Sequence, residues 1–151
     1  MIKFNNENIT FELKHKLELR SWLNSLLRSE GYEPGELNYV FVDDTTILKM
    51  NIQFLGHSYY TDVISFPYEN VYKGSKTLLN GDIYISIDTI AANAKEFNTT
   101  FNNELCRVMA HGLLHFIGYD DHTPQDIIVM RSKEDYYLSL IEPSLKQKLG
   151  F

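Results

Sequence analysis

"HGLLHFIGYDDHT", residues 111–123, is the stretch whose reading decides the fold. Positions i and i+4 of an α-helix share a face, roughly 6 Å apart along the axis, so two imidazoles there can meet one ion at about 2.0–2.1 Å each. His111 and His115 satisfy that spacing, while Leu105, Val108, Met109, Gly112, Leu113 and Phe116 mostly occupy the other flank. Arg107 lies one turn before His111 on the histidine side. Gly118 readily adopts the positive φ that ends a helix, and a chain reversing there returns Asp120, Asp121 and His122 towards His115. Three protein ligands with a fourth position open to water make a catalytic zinc site, whereas four make a closed structural one. Gly112 stands where a zinc protease of the H-E-x-x-H kind carries its general-base glutamate, which argues against peptide hydrolysis by that route. It also leaves space beside the ion.

Outward from this helix, which the pattern starts near Thr100, the chain alternates short β and α signals. "IKFNN" and "NITFEL" suggest a first hairpin. Residues 15–30 place Leu17, Leu19, Trp22, Leu23, Leu26 and Leu27 at mostly helical spacing, with Gly31 and "EPGE" as the stop. "LNYVFVD" at 37–43 reads as a strand, and "DTTILKMNIQFLG" as a helix with Asp44 for its N-cap and Gly56 for its end. Asp62 to Phe66 and "DIYISI" read as two more strands, with an exposed loop carrying Lys73 and Lys76 between them. "DTIAANAKEFN" reads as a short helix capped by Asp88. The last helix opens with Thr123 as N-cap and Pro124 at its first position, and stops before Pro143. Early strands and late helices predict an α+β fold: a small mixed β-sheet covered by helices, one domain over residues 1–151.

Composition narrows the class. With 44% hydrophobic and 23% charged residues the chain reads as an ordinary globular protein, and no apolar run is long enough to predict a membrane span. The start lacks the pattern of a secretion signal, and Cys106 is the only cysteine, so a reducing cytoplasm is expected and no set of thiolates completes the histidine cluster. A net charge of −6 argues against a generic nucleic-acid coat, though not against an enzyme holding a short strand in one local cleft.

At this point the motifs resemble a known family. "HGLLHFIGYDDH" is similar to the H-G-x-L-H-x-x-G-Y-D-H signature of the YbeY family of bacterial metallo-endoribonucleases. "TDVISFPYE", "NGDIYIS" and "FVDDTTILKMN" match further segments, so that the likeness covers roughly residues 38–135 in order and spacing. The resemblance implies a metzincin-like metal helix and one zinc ion held by three side chains. It further implies single-strand-specific RNA cleavage in ribosomal RNA processing, small-subunit maturation and ribosome quality control. Partners would be single-stranded RNA and the ribosome or its small subunit, with neither DNA nor membrane, in the cytoplasm.

Two departures from the family pattern bear on the site. The family's third ligand is a histidine, but position 121 holds aspartate and His122 follows it. Ungapped counting keeps Asp121 in register, a carboxylate oxygen is a legitimate zinc donor, and metzincin-like proteases accept aspartate there; the expected metal set is His111, His115 and Asp121, with His122 as the alternative. Leu55 stands where the family has an arginine assigned a catalytic part. Arg107 is a possible substitute, its plainer role being a solvated helix arginine, and Asp62 is a possible acid or base. His57 is expected in an exposed loop. Two other functions are compatible with the residues: a catalytically weak ribosome-assembly factor with a structural metal, and a zinc-dependent peptidase.

Overall fold

The computed structural model describes residues 1–56 and 61–151, so the expectation for His57 lies outside the described residues. Strand β1 (Ile2–Asn6) is followed by helix α1 (Lys16–Ser29), and β2 (Glu33–Val42) then runs parallel to β1. The expected first hairpin does not form. Asn8 and His15 adopt positive φ, and the apolar alternation at 9, 11 and 13 serves packing instead: Phe11 stacks edge-on against Phe41 at 5.0 Å, and Leu13 is buried. Alternation reports which side chains turn inward, and here the backbone finds no strand partner.

Helix α2 (Asp44–Met50) runs on into a π-helical turn, Asn51–Leu55, closed by Gly56. Strand β3 (Val63–Pro67) precedes a hairpin of β4 (Val71–Lys73) and β5 (Lys76–Ser86). The stretch expected as a loop is thus mostly strand, with Lys73 and Lys76 paired across its turn. The sheet is mixed and five-stranded, in the order β1-β2-β5-β3 with β4 on the outer half of β5. Its central strand β5 is parallel to β2 and antiparallel to β3.

Helices α3 (Ile87–Glu96), α4 (Phe101–Phe116), α5 (Pro124–Ser139) and α6 (Pro143–Leu149) follow, the last not anticipated. Neither acidic residue expected as a cap is the N-cap of its own helix. Asp43, not Asp44, caps α2 by accepting from the Thr46 amide at 2.8 Å, and Ser86, not Asp88, caps α3. Asp44 instead accepts from the hydroxyls of Ser86 and Thr89, both at 2.6 Å, while Asp88 accepts from the Asp44 amide at 2.9 Å, so each carboxylate braces the other helix's start. Thr123 caps α5 as expected, in a reciprocal capping box with Asp126.

Period-two alternation divides the sheet. Tyr39, Phe41, Ile83 and Ile85 face the main core with α1 and α4, whereas Val42 and Ile64 with Val40 and Tyr84 pack under Ile47 of α2. Buried Tyr39 donates its hydroxyl to the Met109 carbonyl at 2.7 Å, pinning α4 across the sheet. Gly112 sits at the closest approach. A Cβ there would meet Ile83 Cγ2 at 2.9 Å, so the missing side chain lets the helix settle on β5 rather than leaving space beside an ion. Gly112→Ala is expected to destabilise the protein by about 1 kcal/mol net, because overpacking of about 1–3 kcal/mol outweighs about 1 kcal/mol of helix propensity. Thermal melts of the two proteins test this; an unchanged or raised melting temperature would count against the tight approach.

Candidate metal centre

Helix α4 presents its buried side to the sheet and leaves His111 and His115 half-buried on the other side, 4.5 Å apart between ring centroids. The helix ends in a reciprocal turn: the Gly118 amide donates to the His115 carbonyl at 3.1 Å and the Tyr119 amide to that of Leu114 at 3.1 Å, with Gly118 at φ +105°. This reversal carries Asp121 back over the histidines. Its Oδ2 lies 3.4 Å from His111 Nε2 and 3.4 Å from His115 Nε2, and the two Nε2 atoms are 3.0 Å apart. Donors about 2.0–2.1 Å from one tetrahedral ion stand about 3.3 Å from each other, so this triangle has the dimensions of a metal-binding set. His122 turns outward. It is exposed and lies 3.4 Å from Asp120, away from the cluster.

Other residues hold these donors in place. Glu134 of α5 accepts from His111 Nδ1 at 2.6 Å through Oε2, and from Arg107 Nη1 at 2.9 Å through Oε1. Arg107 Nη2 in turn donates to Asp135 at 2.6 Å. The Nδ1 proton is thereby committed to Glu134, which leaves Nε2 as the lone-pair nitrogen towards His115 and Asp121. Burial works to lower the His111 pKa, but the hydrogen bond and charge of Glu134, with Asp62 and Asp121, raise it above the ordinary histidine value. Arg107 is therefore not a solvated helix arginine. Its charge is matched inside the protein by two carboxylates.

The turn that bears Asp121 is tied down separately. Tyr119 donates to Glu30 Oε1 at 2.7 Å, while Tyr137 and Lys133 bond Glu30 Oε2. Burial raises the Glu30 pKa, but the hydroxyls of Tyr137 and Tyr119 and the Lys133 ammonium more than offset it, leaving the group below its ordinary 4.5. A depressed carboxyl stabilises the fold above its unfolded pKa and loses that contribution as pH falls through the folded one. Stability is thus expected to drop on acidification below pH 4.5, and Glu30→Gln to flatten that drop; urea titrations at pH 7 and pH 3.5 test this, and parallel profiles would contradict it.

Two cavities meet at the cluster. One, of about 310 Å³, runs between α3, α4 and α5; the other, of about 370 Å³, runs along β3 past Leu55. His111, Asp121 and Asp62 line both. Burial raises the pKa of Asp62, partly offset by the charge at His111. Cys106 is buried with its thiol pushed up to about 12, an inert packing residue as expected.

The sequence profile of the family described as Endoribonuclease YbeY matches residues 1–142. This chain belongs to the YbeY family. It is 45% identical over 139 residues to the Endoribonuclease YbeY of Cytophaga hutchinsonii, covering 92% of this chain and 94% of that one. With the protein of that name from Flavobacterium psychrophilum it shares 46% over 140 residues, 93% of this chain and 96% of the other. The solution structure of TM1509 from Thermotoga maritima superposes with a TM-score of 0.65 at 28% identity, covering 98% of this chain and 93% of that one. A YbeY chain with this α+β fold therefore brings His111, His115 and Asp121 into one group able to hold a metal. Reading the sequence alone misses Glu134, because its partner His111 lies 23 residues away on a different helix.

Proposed function

We propose that the chain is a zinc-dependent endoribonuclease that cleaves single-stranded RNA, with His111, His115 and Asp121 as the ligands of one zinc ion. The observation that carries this reading is the convergence of those donors where two cavities join, so that a strand can lie along the cleft with a phosphate at the cluster. Bound zinc would supply Lewis-acid polarisation of a phosphoryl oxygen or an activated water at neutral pH. Glu134 holds the His111 ring in orientation, and Arg107 and Asp135 hold Glu134. Asp62, half-buried and lining both cavities, stands beside the cluster with its pKa raised by burial, placed to exchange a proton with a leaving oxygen. Arg131 lines the first cavity and has no ion-pair partner among the described residues, so it supplies phosphate attraction that Arg107 cannot. The cellular role we propose is ribosomal RNA processing, small-subunit maturation and ribosome quality control on the ribosome in the cytoplasm. No described helix is long and apolar enough to cross a membrane.

Zinc-loaded protein is expected to cut a labelled single-stranded RNA and to leave the matching duplex intact, with His111→Ala inactive on both. Equal cleavage by the wild type and His111→Ala would contradict the proposal. Leu55, which lines the second cavity where related chains are expected to carry an arginine, favours a second reading, a ribosome-assembly factor whose metal is structural. That reading predicts zinc binding without cleavage. Peptide hydrolysis through a general-base glutamate is disfavoured, since position 112 is glycine and a Cβ there would already press on Ile83 of the sheet at 2.9 Å.

A further inference from the structure

The first cavity contains a group that neither the metal centre nor the fold uses. Glu104, two helical turns before His111 on α4, lines it and is only 5% exposed. Its carboxylate has no hydrogen-bond or ion-pair partner among the described residues, whereas the other buried acid, Glu134, is fully engaged. Its oxygens are not sealed off, since among the described residues only Asn24 Oδ1 is a fully enclosed side-chain polar atom without a partner, so the carboxylate opens on the cavity and can accept from whatever occupies it. Burial, with the charges of Asp62 and Glu134, raises its pKa above the ordinary carboxyl value, and the charges of Arg107 and Arg131 offset part of that rise. Around it the walls are apolar: buried Val108 and Met130 form the floor, and exposed Phe97 and Ile127 stand at the rim.

We infer that this cavity is a nucleobase subsite selective for guanine, flanking the phosphate bound at the metal cluster, with Glu104 as its specificity-determining residue. The inference deepens the endoribonuclease reading and rests on it. Single-stranded RNA is read by stacking splayed bases on aromatic side chains and hydrogen-bonding their Watson–Crick edges. An ionised carboxylate offers two acceptors and no donor. Guanine alone among the four bases presents two adjacent donors on that edge, its N1–H and exocyclic amine. Adenine, cytosine and uracil each set an acceptor beside their donor, and would push a lone pair against a carboxylate oxygen. A volume of about 310 Å³ accommodates one purine with its sugar at the opening, and Phe97 supplies an exposed ring face there. Arg131, which forms no ion pair among the described residues, lines the same opening and can meet a neighbouring phosphate.

The test is equilibrium binding of the four 5′-mononucleotides to the zinc-loaded protein, followed by amide chemical shifts. All four carry the same phosphate, so differences between them report the base. GMP is expected to bind about tenfold or more tightly than AMP, CMP or UMP, the discrimination typical of one bidentate base contact. Its shifts should fall on residues 93–97 and 104–108. Glu104→Gln, which keeps the side-chain shape but replaces one acceptor with a donor, should erase that preference without changing the melting temperature. Phe97→Ala should weaken all four nucleotides together. Equal binding of the four, no binding, or a guanine preference that survives Glu104→Gln would overturn the inference. Cleavage of single-stranded RNA by the same preparations separates the two readings. RNA cut with no base preference removes the subsite and leaves the nuclease; a Glu104-dependent guanine preference without cleavage does the reverse.

Discussion

Asp121→Ala is expected to lower zinc affinity more than the roughly 100-fold seen when an outer-shell partner of a metal site is lost, and His122→Ala to leave affinity unchanged. The contrast follows from the turn. Gly118 reverses the chain so that Asp121 Oδ2 stands 3.4 Å from both Nε2 atoms, while His122, one residue on, points outward to Asp120. Both side chains are chemically able to bind zinc, so only their direction distinguishes them. Competition against a chromophoric chelator measures both variants on one scale. If His122→Ala proves the damaging substitution, the turn closes differently and the third donor has been misassigned. Asp121→His should retain binding, since an imidazole reaches the same corner.

The second large effect is expected at a residue that never touches the metal. Glu134→Ala should weaken zinc binding by about 10–100-fold, because His111 then loses the acceptor that fixes its tautomer and ring orientation. Glu134→Gln should fall between the wild type and Glu134→Ala. A glutamine oxygen still accepts from Nδ1–H, but its amide end then meets the Arg107 guanidinium, donor against donor. Arg107→Lys tests the outer link: a lysine cannot hold Glu134 and Asp135 together as the two guanidinium nitrogens do, and a smaller loss of affinity is expected. Wild-type affinity in Glu134→Ala, with the melting temperature preserved, would show that the ring is held by packing alone.

The local signals were legible where one segment contained its own explanation. Spacing along α4 identified both its buried flank and its histidine flank, and the Thr123-Pro124 start and Gly118 stop were readable because capping chemistry is short-range. Ungapped register puts Asp121 rather than His122 at the third position, and in the structure Asp121 lies beside His111 and His115 while His122 lies beside Asp120. The sequence misleads where the deciding partner is distant. The segment after β1 looked like a returning strand, yet its apolar residues pack on Phe41 and Phe101 while β1 pairs in parallel with β2 through α1. Asp44 and Asp88 looked like caps of their own helices and instead brace each other's. Gly112 looked like room for an ion, and is where helix and sheet touch. Arg107 looked solvated because nothing nearby in sequence pairs with it; Glu134 and Asp135 come from α5.

The most direct measurement is X-ray absorption at the zinc edge on protein purified with zinc and dialysed to constant metal content, combined with an anomalous difference map. One ion per chain is predicted, bound by two imidazole nitrogens from His111 and His115 and one carboxylate oxygen from Asp121, with a solvent oxygen completing the shell. A chain that retains no zinc, or an ion bound elsewhere with His111 and His115 outside its coordination shell, would contradict it.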